Sequence, residues 1–195
     1  MYKALKVFLG LLFLFQPSLV NAQAAARLQT EASRVASPPV LDGLLDDAAW
    51  ATAQTIENFV QREPNEGEPV SERTEVKLLY DDEALYVGAW MYDADAASIV
   101  LGETRRDAPL RQTDAFVVVL DTYQDGQNAF VFGTTPAGIE YDGQVTNEGQ
   151  SGGGGGGPGM RRQQTGSGGG FNVNWDGSWE VVTSRNQDGW YAEFR

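Results

Sequence analysis

An all-β, antiparallel fold is predicted by three features of this 195-residue chain. In Glu75–Asp93 (EVKLLYDDEALYVGAWMYD), Val76, Leu78 and Tyr80 alternate with Glu75, Lys77 and Leu79, the period of a strand with one face on a core. Asp81-Asp82-Glu83-Ala84 breaks that run with turn-favouring acids. Leu85, Val87, Ala89 and Met91 then resume one face, with Tyr86, Gly88, Trp90 and Tyr92 on the other. The second feature is the pair Asp114–Asp121 and Asn128–Thr134, joined through Tyr123–Gln127 with its Asp125-Gly126 hairpin signal. The third is a later pair, Trp179–Ser184 and Trp190–Phe194, around the turn Asn186-Gln187-Asp188-Gly189.

Taken in order, the chain opens with Lys3 and Lys6 ahead of the short apolar run Val7–Phe15. Val20-Asn21-Ala22 follows with residues suited to a signal-peptidase site. Residues 1–22 are expected to be a signal peptide, cleaved after Ala22, with Ala24 as the second choice. The run is too short to span a bilayer as a mature helix, and no cysteine follows it to carry a lipid anchor. Export is therefore expected, to the periplasm, the outer membrane's surface or the medium, with no integral membrane segment after cleavage. Residues 23–38 are polar, Ala-rich and without a strand pattern, as in a flexible leader.

The domain is expected to span residues 39–195. Asp46 is placed to cap a helical turn, Asp47–Thr52, that points Trp50 inward. Residues 61–74, rich in Pro, Gly and acids, form a loop before the first strand pair. Ala94–Thr113 is an irregular connection carrying Arg105, Arg106 and Arg111. The nearly continuous apolar run Asp114–Asp121 predicts a strand buried on both faces. Pro136-Ala137-Gly138 makes a turn and Ile139–Val145 another strand. Residues 151–170 hold 11 of the chain's 23 glycines, too few apolar groups to offset the entropy of ordering, and read as a disordered loop within the domain. The sequence stops at Arg195 in mid-strand with no closing turn, as expected of a piece of a longer protein.

Composition excludes whole classes of chemistry. There are 27 acidic and 14 basic residues, a net charge of −13, and Lys77 is the one lysine outside the expected leader. That balance repels nucleic acid and anionic lipid. With no cysteine and no histidine, disulfides, thiol nucleophiles, Ser-His triads and the commonest zinc sites are absent. No cofactor is implied. An enzyme built on this chain would have to use carboxylates.

Several motifs compete for a functional reading. Asp121-x-Tyr123-x-Asp125-Gly126 has the outline of a calcium loop, but Tyr123 and Phe132 stand where oxygen ligands belong, and an Asp-Gly hairpin accounts for it. No metal site follows. Gly152–Gly157 has no Lys-Ser/Thr follower and is no phosphate loop. The acid pairs Asp81/Asp82, Asp46/Asp47 and Glu140/Asp142 have the residue type of a two-carboxylate glycosidase, but their turn positions point to capping and exposure. Tryptophan is the more informative residue, because sugars stack their CH faces on aromatic planes. Trp50 and Trp190 read as core, and Trp90, on the face of Tyr86 and Tyr92, as either packed between layers or exposed. Trp175, in the polar stretch Asn172–Gly177, is the best platform, with folding back onto the domain's edge as the competing reading.

These residues also carry a resemblance. Val40–Trp50, with Asp42-Gly43, Asp46-Asp47 and Trp50, is similar to the Asp-Gly-x-x-Asp-Glu-x-x-Trp opening of family 9 carbohydrate-binding modules. Glu75–Val87, Asp114–Asp121 and Gly189–Glu193 resemble that family's hairpin, central strand and Gly-Trp-x-Ala-Glu strand, in the same order over about residues 40–195. The branch carrying LDTYQDGQNAFVF and YDGQVTNEG resembles the N-terminal part of large exported bacterial proteins that continue into a β-rich, outer-membrane-associated region. The resemblance implies an antiparallel, jelly-roll-like β-sandwich and a non-catalytic accessory domain that binds neutral glycan of the xylan or glucan type beside a downstream domain. Trp175 and Arg111 are then the sugar-binding candidates. Two positions depart from sugar-binding members: a tryptophan is missing near Arg111, and Val117 stands where they carry a glutamate. A structural domain that has lost its ligand, and a component of a glycoside hydrolase, are the alternatives.

Deleting Gly152–Gly169 should leave the thermal midpoint nearly unchanged, because loop-closure cost varies slowly with length. A fall of more than about 5 °C in a calorimetric scan would mean that the tract carries structure.

Overall fold

The computed structural model describes residues 28–147 and 170–195. The expected signal peptide, the start of the leader and residues 151–169 of the glycine-rich loop lie outside the described residues. Among the described residues nine strands form two sheets, with two short 3-10 turns at Ala48–Thr52 and Leu110–Gln112. The first sheet runs β1 (Ser33–Arg34), β2 (Thr74–Tyr80), β3 (Leu85–Tyr92), β9 (Gly189–Phe194), β8 (Val181–Asn186) from edge to edge. The second runs β4 (Phe116–Leu120), β5 (Ala129–Thr134), β6 (Tyr141–Val145), β7 (Phe171–Asn172). All pairings are antiparallel except β1 with β2. The all-β sandwich expected from the alternation is the fold observed.

The core between the sheets is built from alternate residues of each strand. Val76, Val87, Ala89, Trp190, Ala192 and Phe194 of the first sheet are buried, and Phe116, Val118 and Phe132 of the second pack against them. Phe116 lies 5.8 Å from Phe194 between ring centroids, and Phe132 5.4 Å from Trp179. The first sheet is also covered on its outer face. Leu45, Trp50 and Ala53 of the N-terminal segment lie over Leu79 and Tyr86 there. That second layer explains why Leu79, on the face opposite Val76 and Leu78, is completely buried. Gly88 leaves the room this layer needs, since a Cβ would sit 2.7 Å from Leu45 and 2.9 Å from Trp50.

Four expectations change in detail. The leader is not wholly unstructured: Ser33 and Arg34 pair with Leu79 and Tyr80, and Val35 is buried, because the edge of β2 offers free ladder bonds. The helical turn starts at Ala48 with Asp47 before it, not Asp46, and the Asp47 carboxylate accepts from Val40 N–H at 2.9 Å. The strand expected over Trp179–Ser184 runs Val181–Asn186, with Trp179 on its approach. The strand at Asp114–Asp121 is not buried on both faces. Val117 and Val119 are 42% and 58% exposed, because β4 ends its sheet and no layer covers the second sheet there among the described residues.

Trp50 is 2% exposed and meets Trp90 edge-on at 6.2 Å. Trp50→Ala should cost about 3–5 kcal/mol through the cavity it leaves. Urea denaturation measures this, and a wild-type midpoint would show that the outer layer is dispensable.

Candidate functional site

An apolar cleft opens where the two sheets part, apart from more polar hollows beside Arg34–Pro38 and Leu28–Glu31. A cleft of about 360 Å³ is lined by Leu85 and Val87 of β3, Val118 and Leu120 of β4, Phe132 of β5, Phe194, and the approach to β8 with Trp175 and Trp179. Glu83, Ser178 and Arg195 bring polar groups to the same lining, and the Arg195 guanidinium lies 3.6 Å from the Glu83 carboxylate. The walls are apolar because they are the sandwich's own inner faces, left open at one end.

Trp175 reaches this cleft through its packing. Its ring centroid is 4.8 Å from Phe130 and 5.9 Å from Phe132, so it is half-buried, one side folded onto the second sheet. Gly177 permits that approach, as a Cβ there would meet the indole at 2.9 Å. Trp179 lies on the other side of Phe132 and stacks on Phe194 at 5.7 Å with the planes 9° apart. Its indole N–H is buried and has no acceptor among the described residues. Arg111 sits in the turn Leu110–Gln112, is exposed, and does not line the cleft. The two candidates named from the sequence are thus not brought together. Trp90 is half-buried, with the Lys77 ammonium 5.7 Å from its ring centre.

The carboxylates are engaged in holding the chain. Asp81 accepts from the N–H groups of Glu83 and Ala84, each at 2.8 Å, and from the Tyr86 hydroxyl at 2.9 Å. Those backbone donors, Glu83's first, hold its carboxyl below the usual range. In the hairpin loop, Asp121 accepts from Asp125 and Gly126 N–H. Asp125 accepts from the Asn128 side chain and from Gln127 and Asn128 N–H, which lower its pKa. Backbone and amide donors occupy the oxygens a calcium loop would offer.

Arg106 gathers Glu140, Asp142 and Asp176, with Asp107 at 3.8 Å. Burial opposes its charge, but the surrounding acids raise its pKa. Asp142, 1% exposed, also accepts from Gly177 N–H at 2.7 Å, which ties the Trp175 loop to β6. No group of acidic residues suited to a metal ion occurs among the described residues.

Among the described residues Glu193 is the one fully buried acid with a raised pKa. Burial raises it, against the N–H groups of Gly43 and Asp42 and the Trp50 indole, which lower it. A buried carboxyl of this kind is a catalytic signature when it faces a cleft. Here both oxygens face those three donors at 2.7, 2.9 and 3.1 Å, so its work is structural.

Comparison with family models, with curated proteins and with solved structures returns no match for this chain.

Glu193→Gln should cost about 2–4 kcal/mol, because an amide nitrogen turned to either side meets an N–H donor. A folded pKa above the ordinary 4.5 means that the folded state binds this proton more tightly. Glu193's contribution therefore grows as pH falls from above its folded value toward 4.5, and is lost as pH rises through the folded value. The stability gap between wild type and the glutamine variant should widen on mild acidification. Paired urea titrations at several pH values measure it, and a gap that narrows would contradict the assignment.

Proposed function

We propose that this chain is a non-catalytic binding domain for neutral glycan of the xylan or glucan type, accessory to a larger exported protein. The observation that carries the reading is the cleft between the sheets, where Trp175, Trp179 and Phe132 supply aromatic surface beside Glu83, Ser178 and Arg195. Sugar binding asks for that combination: aromatic planes for the CH faces and a few polar groups for the hydroxyls. The resemblance of the Asp42–Trp50, Glu75–Val87 and Gly189–Glu193 segments to family 9 carbohydrate-binding modules supports the same reading. The non-catalytic part is supported by one acid or more of each pair singled out from the sequence: of Asp81/Asp82, Asp46/Asp47 and Glu140/Asp142, the acids Asp81, Asp47, Glu140 and Asp142 bind backbone N–H groups or Arg106, and Asp82 pairs with Arg34.

A second reading has its own observation. Trp175 spends one face on Phe130, and Arg111 stands apart, so the clamp of sugar-binding relatives is incomplete. That favours a structural domain of an outer-membrane-associated protein which no longer binds sugar.

Titration with xylan or cello-oligosaccharides, followed by indole fluorescence, separates the two. With half a clamp, the binding reading expects affinity on the order of millimolar, about 4 kcal/mol. Trp175→Ala should abolish the signal while circular dichroism stays that of the folded protein. No saturable change with any neutral glycan would leave the structural reading in its place.

A further inference from the structure

Trp175 stands on an arch of chain whose two feet rest on one strand. The upstream foot is Asn172, paired with Gln144 of β6. The downstream foot is Gly177, whose N–H donates to the Asp142 carboxylate of the same strand at 2.7 Å. Gln144 and Asp142 are two residues apart and so belong to one face of β6. Their cross-strand partners in β5 are Phe130 and Phe132, the two rings against which Trp175 packs. The two feet are held unequally. Upstream, Trp175 N–H meets the Asn172 carbonyl at 3.4 Å, a long hydrogen bond. Downstream, Asp142 is buried and accepts from Arg106 as well, at 2.7 Å, and the same guanidinium nitrogen donates to Asp176. The other terminal nitrogen of Arg106 donates to Glu140, so both arms of the fork are anchored.

We propose that Asp142 and Arg106 are positioning residues that clamp the arch and fix the Trp175 indole at the cleft. Their part in ligand binding rests on the glycan reading above; the clamp itself rests on these contacts. Asp176 and Gly177 follow the indole directly, and both are fastened, one by its side chain and one by its backbone. Stacking on Phe130 alone would let the ring slide, because dispersion is only weakly directional across an aromatic face. Hydrogen bonds to a charged partner are shorter, stronger and directional, and they set where the backbone beside the ring must lie. The pair is chemically suited to this. A carboxylate as buried as Asp142 needs a paired cation and further donors, which Arg106 and Gly177 N–H supply. Neither Asp142 nor Arg106 belongs to the lining of the cleft, so each acts through Trp175. A platform fastened before the ligand arrives avoids the ordering cost on binding and gains affinity with no new contact.

The test uses the full chain, isotope-labelled at tryptophan, and reads the order of each indole N–H by NMR relaxation, with Trp175→Phe assigning the Trp175 signal. Arg106→Lys keeps a charge beside Asp142 but loses the fork that spans Glu140 and Asp176. Asp176→Ala removes only the exposed arm and leaves Asp142 paired, so it serves even if the lysine variant folds poorly. Both should loosen the Trp175 indole while those of Trp50, Trp90 and Trp190 keep their wild-type order. Titration with xylo- or cello-oligosaccharides should then show affinity lower by about threefold to tenfold, the effect of ordering one loop side chain on binding. A Trp175 indole as ordered in both variants as in wild type would overturn the clamp. So would loosening of all the indoles together, or a loosened Trp175 with glycan affinity unchanged. Selective loosening in a protein whose wild type binds no neutral glycan would uphold the clamp and overturn the glycan reading instead.

Discussion

Glu193 holds together parts of the chain that are 150 residues apart. Alternation along β9 sends Trp190, Ala192 and Phe194 into the core and turns Tyr191 and Glu193 to the outer face. Left alone there under an apolar layer, a carboxylate would cost several kcal/mol in lost hydration. Asp42 and Gly43 N–H and the Trp50 indole offset that cost, and the positive φ of Gly43 helps to turn the donors inward. A side chain at Gly43 would also meet the backbone of Thr183 and Ser184 at 3.0–3.2 Å, so the segment can lie this close only with glycine. Ser184 adds a hydroxyl donor to the Gly43 carbonyl. One acid thus fastens the N-terminal segment over the sheet, and Gly88, its cross-strand partner, clears the space beneath.

The two faces of the first sheet consequently have different characters. On the outer face Trp50 and Leu45 close the surface over Leu79 and Tyr86. On the inner face the second sheet supplies the cover, but it is one strand narrower. The aromatic contacts trace the filled part: Tyr123, Phe130, Trp175, Phe132, Trp179, Phe194 and Phe116 follow one another with centroid separations of 4.8–6.5 Å. Four of its members, Trp175, Phe132, Trp179 and Phe194, also line the cleft. Trp175 is therefore both a packing residue and a lining residue, which fits its half-burial.

Much of the architecture was legible in the sequence because period-2 alternation and turn chemistry are local signals. The hairpins at Asp81–Ala84 and Asn186–Gly189 follow from them, as does the inward Trp50. What failed was non-local. Asp114–Asp121 reads as a strand buried on both faces, since a continuous apolar run looks alike whether one face is covered or two; only the packing shows Val117 and Val119 exposed. The β1 contact was invisible because two residues of parallel pairing leave no periodic trace. Arg106 was one of three arginines in an irregular connection, and nothing local distinguished it from Arg105 or Arg111; Glu140 and Asp142 come from the start of β6 and the residue before it, and Asp176 from beyond the glycine tract. Of the site, Trp175 was visible as a loop tryptophan. Trp179 was hidden by its strand-like surroundings. Glu193 did leave a signal: a charged residue alternating with buried ones in β9 needs donors, and the Asp42-Gly43 turn and Trp50 are where they come from.

The same contrast bears on how the domain works. Each polar group buried on the outer face has its partner within the described chain, whereas the inner face retains an indole N–H at Trp179 without one among the described residues. A buried donor left without an acceptor costs about 1–3 kcal/mol. Trp179 sets that donor beside the cleft, and the apolar lining of Val87, Val118, Leu120 and Phe194 fixes what any occupant must present: a hydrophobic face with polar groups confined to its edge.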